Sequence, residues 1–226
     1  MAVLYIIGTP IGNLGDLSRR AEETLKTVDL IACEDTRRTL KLLSHFGIQK
    51  PLISCRAANE RAAAGKIVAA LNEGKTVAYA SDAGTPGLSD PGSVTAACAC
   101  EAGHTVIPIP GPSAFAALVS ASGGPDKTVV FEGFLSPKPG RRRARLGELL
   151  NTGWAFVLYE SPFRVLKLLE DLADLGSERY MCVGREMTKV HEEYIRGFPA
   201  EIRAFFAQKE RQMGEFALYV SGHKHK

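Results

Sequence analysis

Short, almost wholly apolar runs alternate with amphipathic stretches through the first half of the chain. Residues 3–8, 30–33, 52–55, 76–80 and 105–108 predict strands buried on both faces. Between and after them, residues 17–27, 36–46, 59–73, 93–102 and 112–120 predict helices. Strands of this kind separated by helices predict a parallel sheet covered on both sides. Helix start signals agree: Ser18, Asn59 and Asp90 suit N-caps, with Pro91 just inside the helix that Asp90 would open. Gly47, Gly74 and Gly103 stand just past helix ends, where a left-handed cap is expected.

The run Ser122-Gly123-Gly124-Pro125-Asp126 breaks the alternation and predicts a boundary between a domain of residues 1–122 and one of residues 123–226. The second half opens with a strand at 129–134. A basic connection at 137–145 leads into a helix ending near Leu150. A strand at 155–159 follows, then a helix at 162–175 with Ser161 as its cap and Pro162 in its first turn. Val165, Leu166, Leu168, Leu169 and Leu172 give that helix a broad apolar face. Strands at 180–185 and 193–196, a short helix at 199–206 and a last strand at 215–220 complete the pattern. Strands in immediate succession predict a mixed sheet here. The expected fold class is α/β: two α/β domains, the first with a mostly parallel sheet.

Composition narrows the class. The chain has 226 residues, 45% hydrophobic, which suits substantial cores. No apolar run approaches membrane-spanning length, and residues 1–8 read as a buried first strand rather than a signal peptide, so a cytoplasmic protein is expected. The five cysteines are scattered without a C-x-x-C pair, and the five histidines (His45, His104, His191, His223 and His225) form no H-E-x-x-H motif; no disulfide framework or metal is expected. The net charge of +3 permits an anionic partner without requiring one.

Residues 81–92 (SDAGTPGLSDPG) join a strand to a helix through three glycines, two prolines and two aspartates. A connection that only turned the chain could be shorter. Gly84, Gly87 and Gly92 permit positive φ and close approach of a ligand to backbone, while Pro86 and Pro91 stiffen the path. Residues 8–15 (GTPIGNLG) and 108–114 (PIPGPSA) also follow strands, so all three loops are expected at one edge of a parallel sheet. Common nucleotide motifs fail: Gly8, Gly12 and Gly15 have the wrong spacing for G-x-G-x-x-G, and Gly74-Lys75-Thr76 runs from helix to strand, the reverse of a P-loop. No G-x-S-x-G nucleophile elbow is present.

Six ordered blocks carry a resemblance: residues 8–16 (GTPIGNLGD), 33–37 (CEDTR), 81–92, 110–114 (PGPSA), 159–164 (YESPFR) and 185–189 (REMTK). Together they resemble the tetrapyrrole-methylase superfamily of S-adenosylmethionine-dependent methyltransferases. Within it they are similar to the bacterial branch that methylates a cytidine ribose 2′-hydroxyl in the decoding region of 16S ribosomal RNA. The resemblance implies a metal-free methyl-donor cleft between the two domains, a small-subunit RNA partner and a homodimer. It implies that Pro10 lines the donor's approach. Asp82, Ala83, Gly84, Thr85 and Leu88 stand where related enzymes carry a Gly-Asp-Pro loop. Ser113 and Ala114 would contact the donor, and Tyr159, Glu160, Met187 and Ala217 would close over it. Members of this branch often continue past the last strand with a small helical extension. This chain ends at Lys226, either as a short member or through a trimmed terminus.

Methyl transfer from a sulfonium to a hydroxyl is an in-line displacement, served mainly by positioning and by a base that takes the hydroxyl proton. Candidate catalytic residues are Glu34, Asp35, Glu186 and Lys189, each equally able to serve in an ion pair; Asp35 or Thr36 also suits a helix N-cap. Met187 could fill a core instead of a site. Arg37 and Arg38 are candidate RNA contacts. So is the segment 138–145, with five positive charges in eight residues, through Arg141, Arg142, Arg143 and Arg145. Cations at a helix start oppose the macrodipole, and an RNA phosphate backbone would compensate them. Arg164 invites the same argument. Two other readings stay open: methylation of a tetrapyrrole precursor, and a binding module without chemistry.

Overall fold

In the computed structural model, which describes residues 2–175, 178–208 and 211–224, the chain divides into two compact units, Met1–Ser113 and Ala114–Lys226. In the first, β1 (Val3–Ile7), α1 (Arg19–Thr27), β2 (Leu30–Cys33), α2 (Thr36–His45), β3 (Leu52–Ser54), α3 (Glu60–Asn72), β4 (Val77–Ala80), α4 (Ser93–Glu101) and β5 (Thr105–Ile109) alternate as expected. The five strands form one parallel sheet in the order β3-β2-β4-β1-β5.

Strand alternation sorts the side chains onto two faces. Leu4, Leu30, Ala32, Val77 and Tyr79 pack under α3 and α4 with Ala63, Ile67, Leu71 and Ala99. Ile7, Ile31, Ala78 and Ala80 pack under α1 and α2 with Ala21, Leu25 and Leu43. The chain therefore leaves β1 toward one face and its neighbour β4 toward the other, which makes their carboxyl ends the switch point of the sheet. Pro108 sits in edge strand β5, where its missing N–H costs no ladder bond. Beside this strand end, Gly8 and Gly111 let two backbones touch: a Cβ on Gly111 would lie 2.5 Å from the Gly8 carbonyl oxygen.

The second unit contains α5 (Ala114–Ser122), β6 (Val129–Phe134), α6 (Pro139–Asn151), β7 (Ala155–Glu160), α7 (Val165–Asp174), β8 (Arg179–Arg185), β9 (Glu193–Gly197), α8 (Pro199–Phe206) and β10 (Phe216–Lys224). Its sheet runs β6-β7-β10-β8-β9 and is mixed: β6 and β7 are parallel, and the other pairs antiparallel. One face holds Phe156, Leu158, Val183, Leu218 and Val220 against the apolar stripes of α6, α7 and α8. The other holds Val157, Ala217 and Tyr219 against Leu118 of α5.

That last contact moves the expected boundary. The contact-based division falls at 113/114, not 122/123, because α5 buries Leu118 in the second unit's core. The glycine-rich break lies inside that unit as a tied turn. Asp126 accepts from the Tyr219 and Ser221 hydroxyls and, at 3.0 Å, from the Gly222 amide. A side chain on Gly124 would strike the Tyr219 ring.

Other starts also shift. Helix α7 begins at Val165 rather than at residue 162; Ser161-Pro162-Phe163 forms a turn whose Ser161 carbonyl accepts from the Arg164 and Val165 amides. Helix α6 begins at Pro139, so the arginines expected in a connection lie within it. Helix α5 begins at Ala114, not residue 112. Among the described residues no helix is long and apolar enough to cross a membrane.

Replacing Gly111 by Ala should cost about 1–3 kcal/mol of stability, since backbone on both sides must give way. Urea unfolding would measure this, and an unchanged midpoint would contradict the packing described.

Candidate functional site

Parallel pairing brings the carboxyl ends of β1, β2, β4 and β5 to one edge. The β1 and β4 loops are bridged there. The Thr9 amide donates to the Gly84 carbonyl at 2.9 Å and the Gly84 amide to the Thr9 carbonyl at 3.0 Å. The buried Thr9 hydroxyl donates to the Ser81 carbonyl at 3.2 Å, and the Ser81 hydroxyl to the Gly84 carbonyl at 3.0 Å. Gly84, Gly87, Ser89 and Gly92 all have positive φ, so the loop 81–92 turns repeatedly before α4. Thr85 donates to the Pro112 carbonyl at 3.1 Å, joining this loop to the one after β5.

The structure thus gathers Pro10, Glu34, Asp35, Asp82, Ala83, Gly84, Thr85 and Ser113 at one sheet edge. Ala83 and Leu88 are exposed, while Pro10, Thr85 and Ser113 are half-buried. Asp82 accepts from the Asp35 amide at 2.9 Å and lies 3.6 Å from Arg38. Asp35 is the N-cap of α2, accepting from the Arg37 amide at 2.9 Å, and its other oxygen pairs with the Arg37 guanidinium at 2.7 Å. These bonds from Arg37 hold the Asp35 carboxyl well below the usual range. Its lone pairs are committed, which argues against Asp35 as the base and for the cap. Glu34 is shifted the other way: burial, then the nearby Asp82 charge, raises it. Asp90 is pushed up to about 6 by burial, with Glu34 and Asp82 adding to the shift.

Asp90 does not cap α4. The N-cap is Gly92. The buried carboxylate of Glu60 accepts from the amides of Gly92, Val94 and Thr95 at 2.8, 3.1 and 3.2 Å. Sequence reasoning missed Glu60, because no local motif links a helix-opening glutamate to amides more than thirty residues away. With that helix end already occupied by a carboxylate, it offers no phosphate cradle.

In the second unit, Ala217 pairs with both Tyr159 and Gly184, and Met187 packs beside them in the core that includes Ala114 as a partly buried neighbour. Met187 therefore does fill a core. It is flanked by Glu186 and Thr188, both at positive φ, and Thr188 Oγ1 is buried without a hydrogen-bond partner among the described residues. Glu160 departs from its neighbours: alternation along β7 puts its side chain on the opposite face from Tyr159. One oxygen accepts from the Ser161 amide at 2.7 Å and pairs with Arg164 at 2.7 Å. Arg164 is thereby a structural partner of Glu160.

Burial alone would raise Glu186, but bonds from Lys189 and the Glu215 amide hold it below its ordinary value. Burial would lower Lys189, but Glu186 and Glu215, at 2.9 and 3.0 Å, raise it on balance, so it stays protonated at neutral pH. That argues against Lys189 as a base in this arrangement.

The basic segment is largely neutralised from within. Arg142, expected to face RNA, is 3% exposed and pairs with Asp171 of α7 at 2.6 Å. Arg143 pairs with Asp171 and Asp174, and Arg145 with Glu132 and Glu148. Carboxylates of β6, α7 and α6 itself compensate these charges within the unit. Arg141 remains exposed with no ion pair among the described residues, and Arg37 and Arg38 are exposed beside Asp35 and Asp82. Among the described residues no cluster of His, Cys, Asp or Glu could hold a metal; His225 lies outside them.

Arg142→Ala should cost about 1–3 kcal/mol in urea unfolding, because it leaves one oxygen of the buried Asp171 without its partner while Arg143 still holds the other, whereas Arg141→Ala should leave the midpoint unchanged. For Asp90, the folded carboxyl keeps its proton up to about pH 6 while the unfolded one loses it near pH 3.8. Stability should therefore fall as pH rises through that window, and Asp90→Asn should flatten the fall. Parallel pH profiles for the two proteins would refute the buried setting of Asp90.

The family model described as Tetrapyrrole (Corrin/Porphyrin) Methylases matches residues 3–203. The chain is 48% identical over 220 residues to the ribosomal RNA small subunit methyltransferase I of Borrelia garinii subsp. bavariensis, covering 97% of this chain and 98% of that protein. It is 47% identical to the protein of the same name from Synechocystis sp., covering 98% of this chain and 80% of that one. The solved structure of a cobalt precorrin-4 methyltransferase of cobalamin biosynthesis superposes with a TM-score of 0.71 at 16% identity, covering 97% and 94% of the two chains, which shows a shared fold. A parallel sheet with looped strand ends, a mixed second sheet and these similarities lead to one conclusion: the chain belongs to the tetrapyrrole (corrin/porphyrin) methylase family.

Proposed function

We propose that this chain transfers a methyl group from S-adenosyl-L-methionine to the ribose 2′-hydroxyl of a cytidine in the decoding region of 16S ribosomal RNA. We place that activity on the small ribosomal subunit in the cytoplasm, with the chain acting as a homodimer. The observation that carries this reading is similarity across nearly the whole chain to proteins named ribosomal RNA small subunit methyltransferase I. The tetrapyrrole reading has behind it the description of the family model and a solved structure 16% identical, whereas the relatives 47–48% identical are named for ribosomal RNA.

The residues present fit such a donor. It is a nucleoside with cationic sulfonium and ammonium groups and a ribose diol. The first unit's edge offers the carboxyls of Glu34 and Asp90 and a half-open loop of backbone amides and carbonyls, with its nearest helix end already capped by Glu60. Such a set suits a cation and hydroxyls better than a phosphate. When bound, the donor supplies a methyl carbon activated by the adjoining sulfonium.

Of the candidate bases, Glu34 is the one whose surroundings suit the task. Burial and the Asp82 charge make its carboxylate more basic than an exposed glutamate, and it is not tied up as a cap. Asp82 holds the Asp35 amide and so fixes the chain that follows β2, including Glu34's position. Arg37, Arg38 and Arg141 are among the exposed cations a phosphate backbone would meet.

The test is incubation with labelled donor and small subunits from cells lacking this methylation, followed by mass spectrometry of the digested RNA. The expected product is 2′-O-methylcytidine. Glu34→Gln should lower kcat about 10²–10⁴-fold with donor affinity retained. Label appearing in a precorrin control and in no RNA would replace this reading with the tetrapyrrole one.

A further inference from the structure

The carboxyl edge of the parallel pair β6–β7 carries two aromatic side chains whose exposure folding does not explain. Phe163, in the turn before α7, is 96% exposed, and Phe134, the last residue of β6, is 57% exposed. A buried Phe contributes about 1.5–3 kcal/mol to folding; one this exposed contributes almost none of it. The two rings leave the same edge, because Phe134 is the register partner of Tyr159 in β7. Phe134 and Tyr159 meet edge to face with centroids 5.7 Å apart. The turn that carries Phe163 is held on both sides: Arg164 pairs with Glu160 at 2.7 Å and donates to the Leu135 carbonyl at 3.5 Å.

The charge around these rings is positive. The acids Glu132, Glu148, Glu160, Asp171 and Asp174 of β6, α6, β7 and α7 are in ion pairs with arginines, and Glu170 of α7 pairs with Lys167 and Arg203. Lys138 and Arg141, at the start of α6, have no ion pair among the described residues and are exposed. Helices α6 and α7 both start at this edge without a side-chain cap, so their positive dipole ends add to the field. Exposed rings set in an electropositive surface match single-stranded nucleic acid, whose bases stack on aromatic faces while its phosphates meet cations. A protein partner built on the same rings would need acidic groups to match.

We propose that Phe163 is a stacking platform for an unpaired base of the RNA substrate, with Lys138 and Arg141 holding the flanking phosphates. The proposal rests on the RNA reading above but does not need the chemistry, so binding tests it apart from turnover. Filter binding of undermethylated small subunits would be measured for the wild type, Phe163→Ala, Phe163→Trp, Phe163→Leu and the double variant Lys138→Ala/Arg141→Ala, with donor affinity followed by calorimetry. Phe163→Ala should weaken subunit binding about 5- to 100-fold, Trp should restore it and Leu should not, all with donor affinity unchanged. The double variant should lower the slope of log Kd against log salt by about 1.4. Binding by the wild type without methyl transfer would sink the proposed reaction and leave the platform standing. The platform itself is overturned by wild-type affinity in Phe163→Ala, by full rescue with Leu, or by a sedimentation shift to a smaller species in Phe163→Ala, which would mark Phe163 as a subunit contact.

Discussion

Two backbone hydrogen bonds between Thr9 and Gly84 govern the site of the first unit. β1 and β4 are neighbours whose chains leave for opposite faces of the sheet, and a crevice opens naturally at such a point. The bridge fixes how the two loops diverge. It needs a residue at position 84 that tolerates a φ of 86°, which glycine does without steric cost. It also needs acceptors for the buried Thr9 hydroxyl, supplied by the Ser81 and Gly84 carbonyls. Asp82, Ala83 and Thr85 hang from that fixed strip, and through Asp82 the end of β2, with Glu34 and Asp35, is referenced to it as well.

Electrostatics then divides the carboxylates by task. Asp35 and Glu60 are spent on helix ends, where their oxygens accept from backbone amides. Glu34 and Asp90 are pushed up by burial and by the Asp82 charge, and Glu34 adds to the shift of Asp90. Both kinds stand within one sheet edge, and their environments set them apart. The second unit shows the converse for cations. The arginines of α6 sit at the end of a helix that repels them, and Asp171 of α7 makes that tolerable by taking two of them at once.

The apolar pattern carried most of the architecture, and β2, β6 and α8 start and stop at the residues the sequence predicts. Boundaries failed where a long-range partner replaced a local signal. Asp90 and Pro91 looked like a helix start, but Glu60 supplies the cap and moves it to Gly92. The Gly123-Gly124-Pro125 run looked like a linker, but Asp126 and Tyr219 fold it into the second unit.

Sequence alone therefore determined the two α/β units, the order of the ligand-type loops and the residue blocks of the family, all of which depend on local periodicity and on composition at strand ends. Tertiary structure decided which charges are free. Arg142 and Arg141 are adjacent in sequence and alike in chemistry, yet one is buried on Asp171 and the other faces solvent. A helix turns about 100° per residue, so adjacent positions point in different directions, and only the packing of α7 against α6 fixes which of them meets a carboxylate.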